Sequence, residues 1–203
     1  MKTILILSSW SSGSTAVAGF LSHCGAYNCP PYFMTNDTST PNAFEPLEYR
    51  DALTDCIDSS TFKISGSIEK FEDFFKSWIE KQIILAGKNK KTCIVLKHPL
   101  QTFLLPSIQS IIDPTLVVVT RPFQKIEKTR RRRAWAEIFG EKGARTIYNI
   151  IYSYLHNNNH SYIVIPFEKF RKTKHIQKKL LNFCEIKPDE NELDKAKEFL
   201  RPL

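Results

Sequence analysis

Four short stretches, residues 3–7, 92–96, 116–119 and 162–165, are nearly continuous apolar runs rich in Ile and Val. Runs of this length without polar alternation predict strands covered on both faces, as in a parallel sheet. Helical patterns lie between them. Residues 14–24 follow the first run and stop at Gly25, a suitable C-terminal glycine. Residues 68–85 place Ile68, Phe71, Phe74, Phe75, Trp78, Ile79 and Ile83 near a 3.6-residue period and end at Gly87. Further helices are predicted over 100–112, 123–139, 144–155 (leading to the polar break Asn157-Asn158-Asn159), 174–184 and 190–200. Strands alternating with helices across short loops predict one domain, 1–203, with a three-layer α/β/α architecture around a central parallel sheet.

The least regular stretch is 29–46, which holds Pro30, Pro31, Pro41 and Pro46. It reads as a long loop, and a long loop near the first strand of an α/β protein often carries function. Composition adds bounds. At 203 residues, 42% hydrophobic and 25% charged, the chain has the makeup of a packed globular protein rather than a disordered one. No apolar run approaches the roughly 18 to 20 residues of a membrane span. The opening MKTILILSSWSSG lacks a small-residue cleavage site and reads as a strand, not a signal peptide. Five scattered cysteines, Cys24, Cys29, Cys56, Cys93 and Cys184, lack zinc-ligand spacing and predict reduced, buried thiols in a cytoplasmic protein. A formal charge of +8 asks for an anionic partner without naming it.

Candidate chemistry begins at the first strand's end. It runs into Ser8-Ser9-Trp10-Ser11-Ser12-Gly13-Ser14-Thr15 and then a helix. A small, hydroxyl-rich strand-to-helix turn presents backbone N–H groups at the positive end of a helix dipole, which suits phosphate or sulfate. Gly13 would allow close backbone approach, and Ser12, Ser14 and Thr15 add hydroxyl donors. The ATP- and GTP-binding form of such a turn needs a lysine before its final Ser or Thr, and Gly13 is followed by Ser14. Taken alone, the turn also reads as a serine N-cap on an ordinary helix.

The third strand ends in Thr120-Arg121-Pro122, and Lys125, Lys128 and Arg130 to Arg133 make six basic residues close behind it. An arginine at the carboxyl end of a central parallel strand borders the crevice where α/β proteins bind ligands. Thr129, two helical turns on, falls on the same side as Arg121. A field this positive suits a ligand with several phosphates. No helix-turn-helix, zinc finger or aromatic-basic RNA signature is present, so specific nucleic-acid reading is not expected.

These segments carry a family resemblance. SSWSSGSTAVAGFL resembles the 5′-phosphosulfate loop of sulfotransferases that use 3′-phosphoadenosine 5′-phosphosulfate (PAPS), and VVVTRPFQKIEKTRRRR resembles their 3′-phosphate motif. VLKHPLQTFLLP is similar to the family's strand-ending lysine segment. SYIVIPFEKFRKTKHIQKKLLNFCEI is similar to its later strand followed by Y-E-x-L, and Asn42-Ala43-Phe44-Glu45 is a shortened form of a bacterial-type motif ending in Glu. The matches follow the family's order from residue 3 to about residue 186. Three positions differ from the pattern: Ser11 replaces a basic residue, Thr129 replaces a Ser, and Phe167 stands where Tyr is common.

The resemblance implies a fold like that of P-loop nucleotide kinases, PAPS as sulfuryl donor with the bisphosphate PAP as product, and no metal. It implies a cofactor site of Ser11, Ser12, Gly13, Ser14, Thr15, Arg121, Thr129 and Arg133. Lys97 would contact the bridging oxygen of the leaving group. Glu45 or His98 would take the acceptor's proton, although neighbours on an extended chain point to opposite sides, so His98 is expected to face away from Lys97. His23 reads as a charge at a helix C-terminus and Glu168 as a partner of nearby Arg or Lys. The acceptor would be a small molecule, carbohydrate or lipid headgroup, bound under the 29–45 loop and the 68–85 helix. A small-molecule kinase, and a non-catalytic module binding nucleotide or nucleic acid, are the alternative readings.

Overall fold

The computed structural model describes residues 1–37 and 40–200. Strand β1 (Lys2–Leu7) turns into helix α1 (Ser14–His23). A short antiparallel ribbon of β2 (Tyr32–Met34) and β3 (Asn42–Pro46) leads to α2 (Leu47–Cys56), and a second of β4 (Ile57–Asp58) and β5 (Lys63–Ile64) leads to α3 (Ile68–Lys88). Strand β6 (Cys93–Lys97), a 3-10 segment (Pro99–Leu104), α4 (Leu105–Ile111) and β7 (Thr115–Thr120) follow. The remainder is α5 (Phe123–Arg132), a 3-10 turn (Glu137–Phe139), α6 (Glu141–Asn157), β8 (Tyr162–Pro166), α7 (Phe167–Phe170), α8 (Lys174–Cys184) and α9 (Glu190–Phe199).

The central sheet has the order β6-β1-β7-β8, with every pair parallel. Period-two alternation divides its side chains between two cores. Leu5, Leu7, Ile94, Leu96, Leu116 and Val118 pack with residues of α2, α3, α4 and α6 on one face. Ile4, Ile6, Val95, Val117, Ile163 and Ile165 pack with α1, α8 and α9 on the other. That is a three-layer α/β/α fold around a parallel sheet, and its four strands lie within one residue of the predicted ones.

Four elements differ from the sequence expectation. The 29–46 stretch is not simply a loop: it contains β2 and β3, and Pro46 is the N-cap of the unpredicted α2. Thr38 and Ser39, inside that stretch, lie outside the described residues. Residues 100–112 divide into a 3-10 segment and α4. The helix predicted over 123–139 stops at Arg132, because Ala134 takes a left-handed conformation at φ 51° that no α-helix can continue through. Helix α3 runs on through Gly87 and ends at Lys88. Gly25, in contrast, does end α1: at φ 93° its N–H bonds the Ser22 carbonyl while Ala26 N–H bonds Leu21.

Candidate functional site

Register sets the site. Ile6 lies opposite Lys97, Leu7 opposite Val118 and Thr120 opposite Pro166. The chain therefore leaves β1 at Ser8, β6 at His98, β7 at Arg121 and β8 at Phe167 along one edge of the sheet, its carboxyl edge.

The turn after β1 is an enclosed polar cradle. Ser11 and Gly13 have φ of 59° and 91°, the left-handed backbone conformation from which anion-binding turns are built. A Cβ on Gly13 would lie 2.2 Å from Phe167 Cγ, so only glycine lets the turn pack against that ring. The N-cap of α1 is this glycine rather than a serine, and no side chain caps the first turn. The hydroxyls of Ser8, Ser11 and Ser12 are buried; those of Ser8 and Ser11 have no hydrogen-bond partner among the described residues, and that of Ser12 lies beside the Tyr148 hydroxyl. Buried polar atoms without partners are costly, and an oxyanion has the lone pairs that would satisfy them. The residues present thus fit an anionic group.

Arg121 is held on the same edge. Its Nε donates to Glu168 Oε1 at 3.0 Å, and its Nη1 donates to the Ser11 carbonyl at 3.1 Å and Thr129 Oγ1 at 3.2 Å. Its guanidinium lies 5.3 Å from the Phe167 ring centroid, so Phe167 buttresses both Gly13 and Arg121. Glu168 also pairs with Lys125 at 3.0 Å. Partial burial would raise the Glu168 carboxyl, but hydrogen bonds and charge from Lys125 and Arg121 hold it below its ordinary range.

The four arginines of the run share two carboxylates. Arg130 and Arg131 pair with Glu127, and Arg132 and Arg133 pair with Asp37. Arg133 Nη2 also donates to Thr40 Oγ1 at 2.8 Å, and its guanidinium stacks 4.6 Å from Trp135. Its contacts are thus with the β2–β3 connection and Trp135, whereas Arg121 and Thr129 hold each other.

The third cluster is buried. Lys97 Nζ donates to Glu45 Oε1 at 2.5 Å, to the Ala43 carbonyl at 3.3 Å and to Thr15 Oγ1 at 3.3 Å. One ammonium therefore ties the anion turn to β3, the strand that carries Glu45. His98 does not face away. Strand β6 ends at Lys97, and the His98 ring turns so that Nδ1 accepts the Leu100 N–H at 3.2 Å, which leaves Nε2 3.9 Å from Glu45 Oε2. Burial pushes the imidazole down to about 4, against the pull of Glu45. With Nδ1 accepting, the neutral ring carries its proton on Nε2, facing the carboxylate. Burial would raise Glu45, but the Lys97 charge, the Lys97 hydrogen bond and the Arg50 charge oppose it, and its carboxyl is held below the usual range.

An aromatic wall beside this cluster was not anticipated. Trp10 stacks on Phe62 at 5.7 Å and meets Phe139 and His98 edge-on at 4.9 and 6.2 Å. The only signal for it was one large residue among the small ones of the first turn. His23 packs against Phe199, and burial and the Lys195 charge lower its pKa. Among the described residues no group of His, Cys, Asp and Glu is arranged to hold a metal ion, and no helix is long and apolar enough to cross a membrane. All five cysteines are buried and free.

No protein-family model matches this chain, and no curated protein matches it in sequence. Among solved structures it is similar to the sulfotransferase domain of the olefin synthase from Synechococcus PCC 7002. The two share 17% sequence identity with a TM-score of 0.60, over 95% of this chain and 76% of that one. At that identity the likeness establishes the fold alone, a three-layer α/β/α arrangement shared with that domain.

Proposed function

We propose that this edge is the active site of a sulfotransferase that takes PAPS as donor and sulfates a hydroxyl of a small molecule, carbohydrate or lipid. The observation that carries the reading is the position of Lys97, one buried cation between the anion turn at Thr15 and the carboxylate of Glu45.

PAPS supplies a sulfonate already activated by a phosphate leaving group. The unpartnered hydroxyls of Ser8 and Ser11, with Ser12, Gly13, Ser14 and Thr15 at the head of α1, would hold its 5′ end. Arg121, pre-oriented by Ser11, Thr129 and Glu168, would hold the 3′-phosphate. Arg133 would contribute field rather than contact while Asp37 and Thr40 engage it. Lys97 is placed to stabilise charge on the leaving oxygen.

The geometry favours Glu45 over His98 as base. The His98 Nδ1 lone pair is committed to Leu100 N–H and its Nε2 carries a proton, so neither nitrogen can accept one from the acceptor. Glu45 Oε1 is bound to Lys97, and Oε2 is the oxygen left to receive the acceptor's proton. The 3.9 Å separation of His98 Nε2 from Glu45 Oε2 is too long for a direct hydrogen bond, so Oε2 is not committed to the imidazole. As Lys97 turns toward the leaving oxygen, Glu45 loses its closest cation and becomes more basic at the moment a base is needed.

The test is a calorimetric titration with PAP, ATP and a short DNA duplex in parallel, at about 0.15 M salt. Micromolar binding of PAP alone, followed by sulfate transfer from labelled PAPS in an acceptor screen, is the expected result. Binding of ATP or DNA with none of PAP would reject the reading.

A further inference from the structure

The second basic region of the chain is unlike the arginine run, because nothing offsets it. Between residues 169 and 179 stand Lys169, Arg171, Lys172, Lys174, Lys178 and Lys179, with no Asp or Glu among them. All six are exposed, and none forms an ion pair among the described residues. On α8, Lys174, His175, Lys178 and Lys179 fall within an arc of about 140° at 100° per residue. The buried Gln177, Leu180, Leu181 and Cys184 occupy the opposite side. The helix thus turns a single uncompensated cationic face outward.

Through Lys179, that face borders an open sheet edge. Strand β8 pairs with β7 on one side and, among the described residues, with no strand on the other. Its Tyr162 and Val164 are each 39% exposed, an apolar pair where exposed edges usually carry charge. Between this edge and α8 runs a groove of ≈ 700 Å³, lined by Tyr162, Ile163 and Val164 on the strand and by Lys179, Asn182 and Phe183 on the helix.

We propose that the β8 edge and the outer face of α8 form a docking strip for an extended, acidic protein segment that pairs with β8 as a fifth strand. The free edge offers main-chain hydrogen bonds, Tyr162 and Val164 offer apolar contact to alternate side chains, and the lysines select acidic residues in between. Charge decides against a second copy of this chain, since pairing β8 with β8 would bring two copies of the Lys178 and Lys179 face together. A nucleic-acid backbone would meet the lysines but leave the strand edge and its apolar pair unused.

The test does not depend on catalysis or on PAP. A fluorescent ten-residue peptide alternating Glu and Val is titrated by anisotropy, beside the same peptide with Lys for Glu, a DNA duplex and phosphatidylserine vesicles. The acidic peptide is expected to bind and the lysine peptide not to. Backbone amide shifts should concentrate in residues 162–166, and the double variant Lys178→Glu, Lys179→Glu should weaken binding about tenfold or more with the fold intact. Failure of the acidic peptide to bind, equal binding of both peptides, affinity unmoved by the double variant, shifts that map elsewhere, or binding only to DNA or vesicles would each overturn the proposal.

Discussion

Lys97 Nζ stands 2.5 Å from Glu45 Oε1, and both side chains are more than nine-tenths buried. A charge pair removed from water this far is a poor source of stability, yet breaking it is costly because the remaining charge has no solvent. Lys97→Met should therefore destabilise the fold by about 3 to 5 kcal/mol in urea unfolding. Glu45→Gln should cost less, since Lys97 keeps Ala43 and Thr15 as partners. The double variant Lys97→Met, Glu45→Leu should recover most of the stability and none of the transfer activity. A double variant as unstable as Lys97→Met would mean that the pair holds the fold by shape rather than by charge.

Glu168 pairs with Arg121, the cation proposed to hold the 3′-phosphate, and with Lys125. Arg121→Ala should weaken PAP binding by roughly 1.5 to 3 kcal/mol, the scale of a hydrogen bond to a charged group. Glu168→Gln should act in the opposite direction. The amide can still accept from Arg121 Nε but no longer competes as an anion, so affinity should rise by up to about tenfold, or about 1.4 kcal/mol. Calorimetry with PAP reads both. Weaker binding in Glu168→Gln would show that the carboxylate chiefly positions Arg121.

Strands β1, β6 and β7 were legible because burial on both faces requires uninterrupted apolar runs; β8 has the same kind of run but is covered on one face only, with Tyr162 and Val164 exposed on the other. The β3–α2 segment was hidden by four prolines that suggested a loop. In the structure Pro46 serves as the N-cap of α2, and Tyr49, Leu53 and Cys56 supply a helical stripe that was present but outweighed. Arg130 to Arg133 gave no sign of a helix end, because the partner that engages Arg132 and Arg133 beside the break at Ala134 is Asp37, almost a hundred residues away in the chain. The site was legible where chemistry is local, as in the turn 8–15. It was not legible where it depends on how a strand terminates. Simple alternation turned His98 away, whereas the Leu100 N–H turns its ring toward Glu45.

Gly13 provides a test of the cradle's shape. Its φ of 91° disfavours any side chain, and a Cβ would meet the Phe167 ring at 2.2 Å. Gly13→Ala should cost about 2 to 4 kcal/mol, combining backbone strain with overlap. Adding Phe167→Ala should relieve the overlap but not the strain, so the alanine at position 13 should cost less in that background. Thermal unfolding of the four proteins closes the cycle. Equal costs in both backgrounds would show that Phe167 does not define the turn.

His98 makes the stability of the fold sensitive to acid. Its imidazole has a pKa of about 4 when buried, against 6.5 in the unfolded chain. Between those values the unfolded state binds a proton that the folded state refuses, so stability is complete above about pH 6.5 and falls as the pH drops toward 4. The loss from this group is on the order of 3 kcal/mol at most. Glu45 adds a loss of the same sense at the acid end, because its pKa is lowered by the fold and protonation breaks its pairing with Lys97. His23 is also lowered and contributes in the same direction. His98→Asn keeps an acceptor for the Leu100 N–H but cannot titrate, so it should flatten the pH dependence between 6.5 and 4 while His23 and Glu45 remain unchanged. Melting temperatures of wild type and variant across pH 4 to 8 measure the difference. Parallel curves would show that the imidazole reaches solvent and titrates normally, which would also return it to contention as the base.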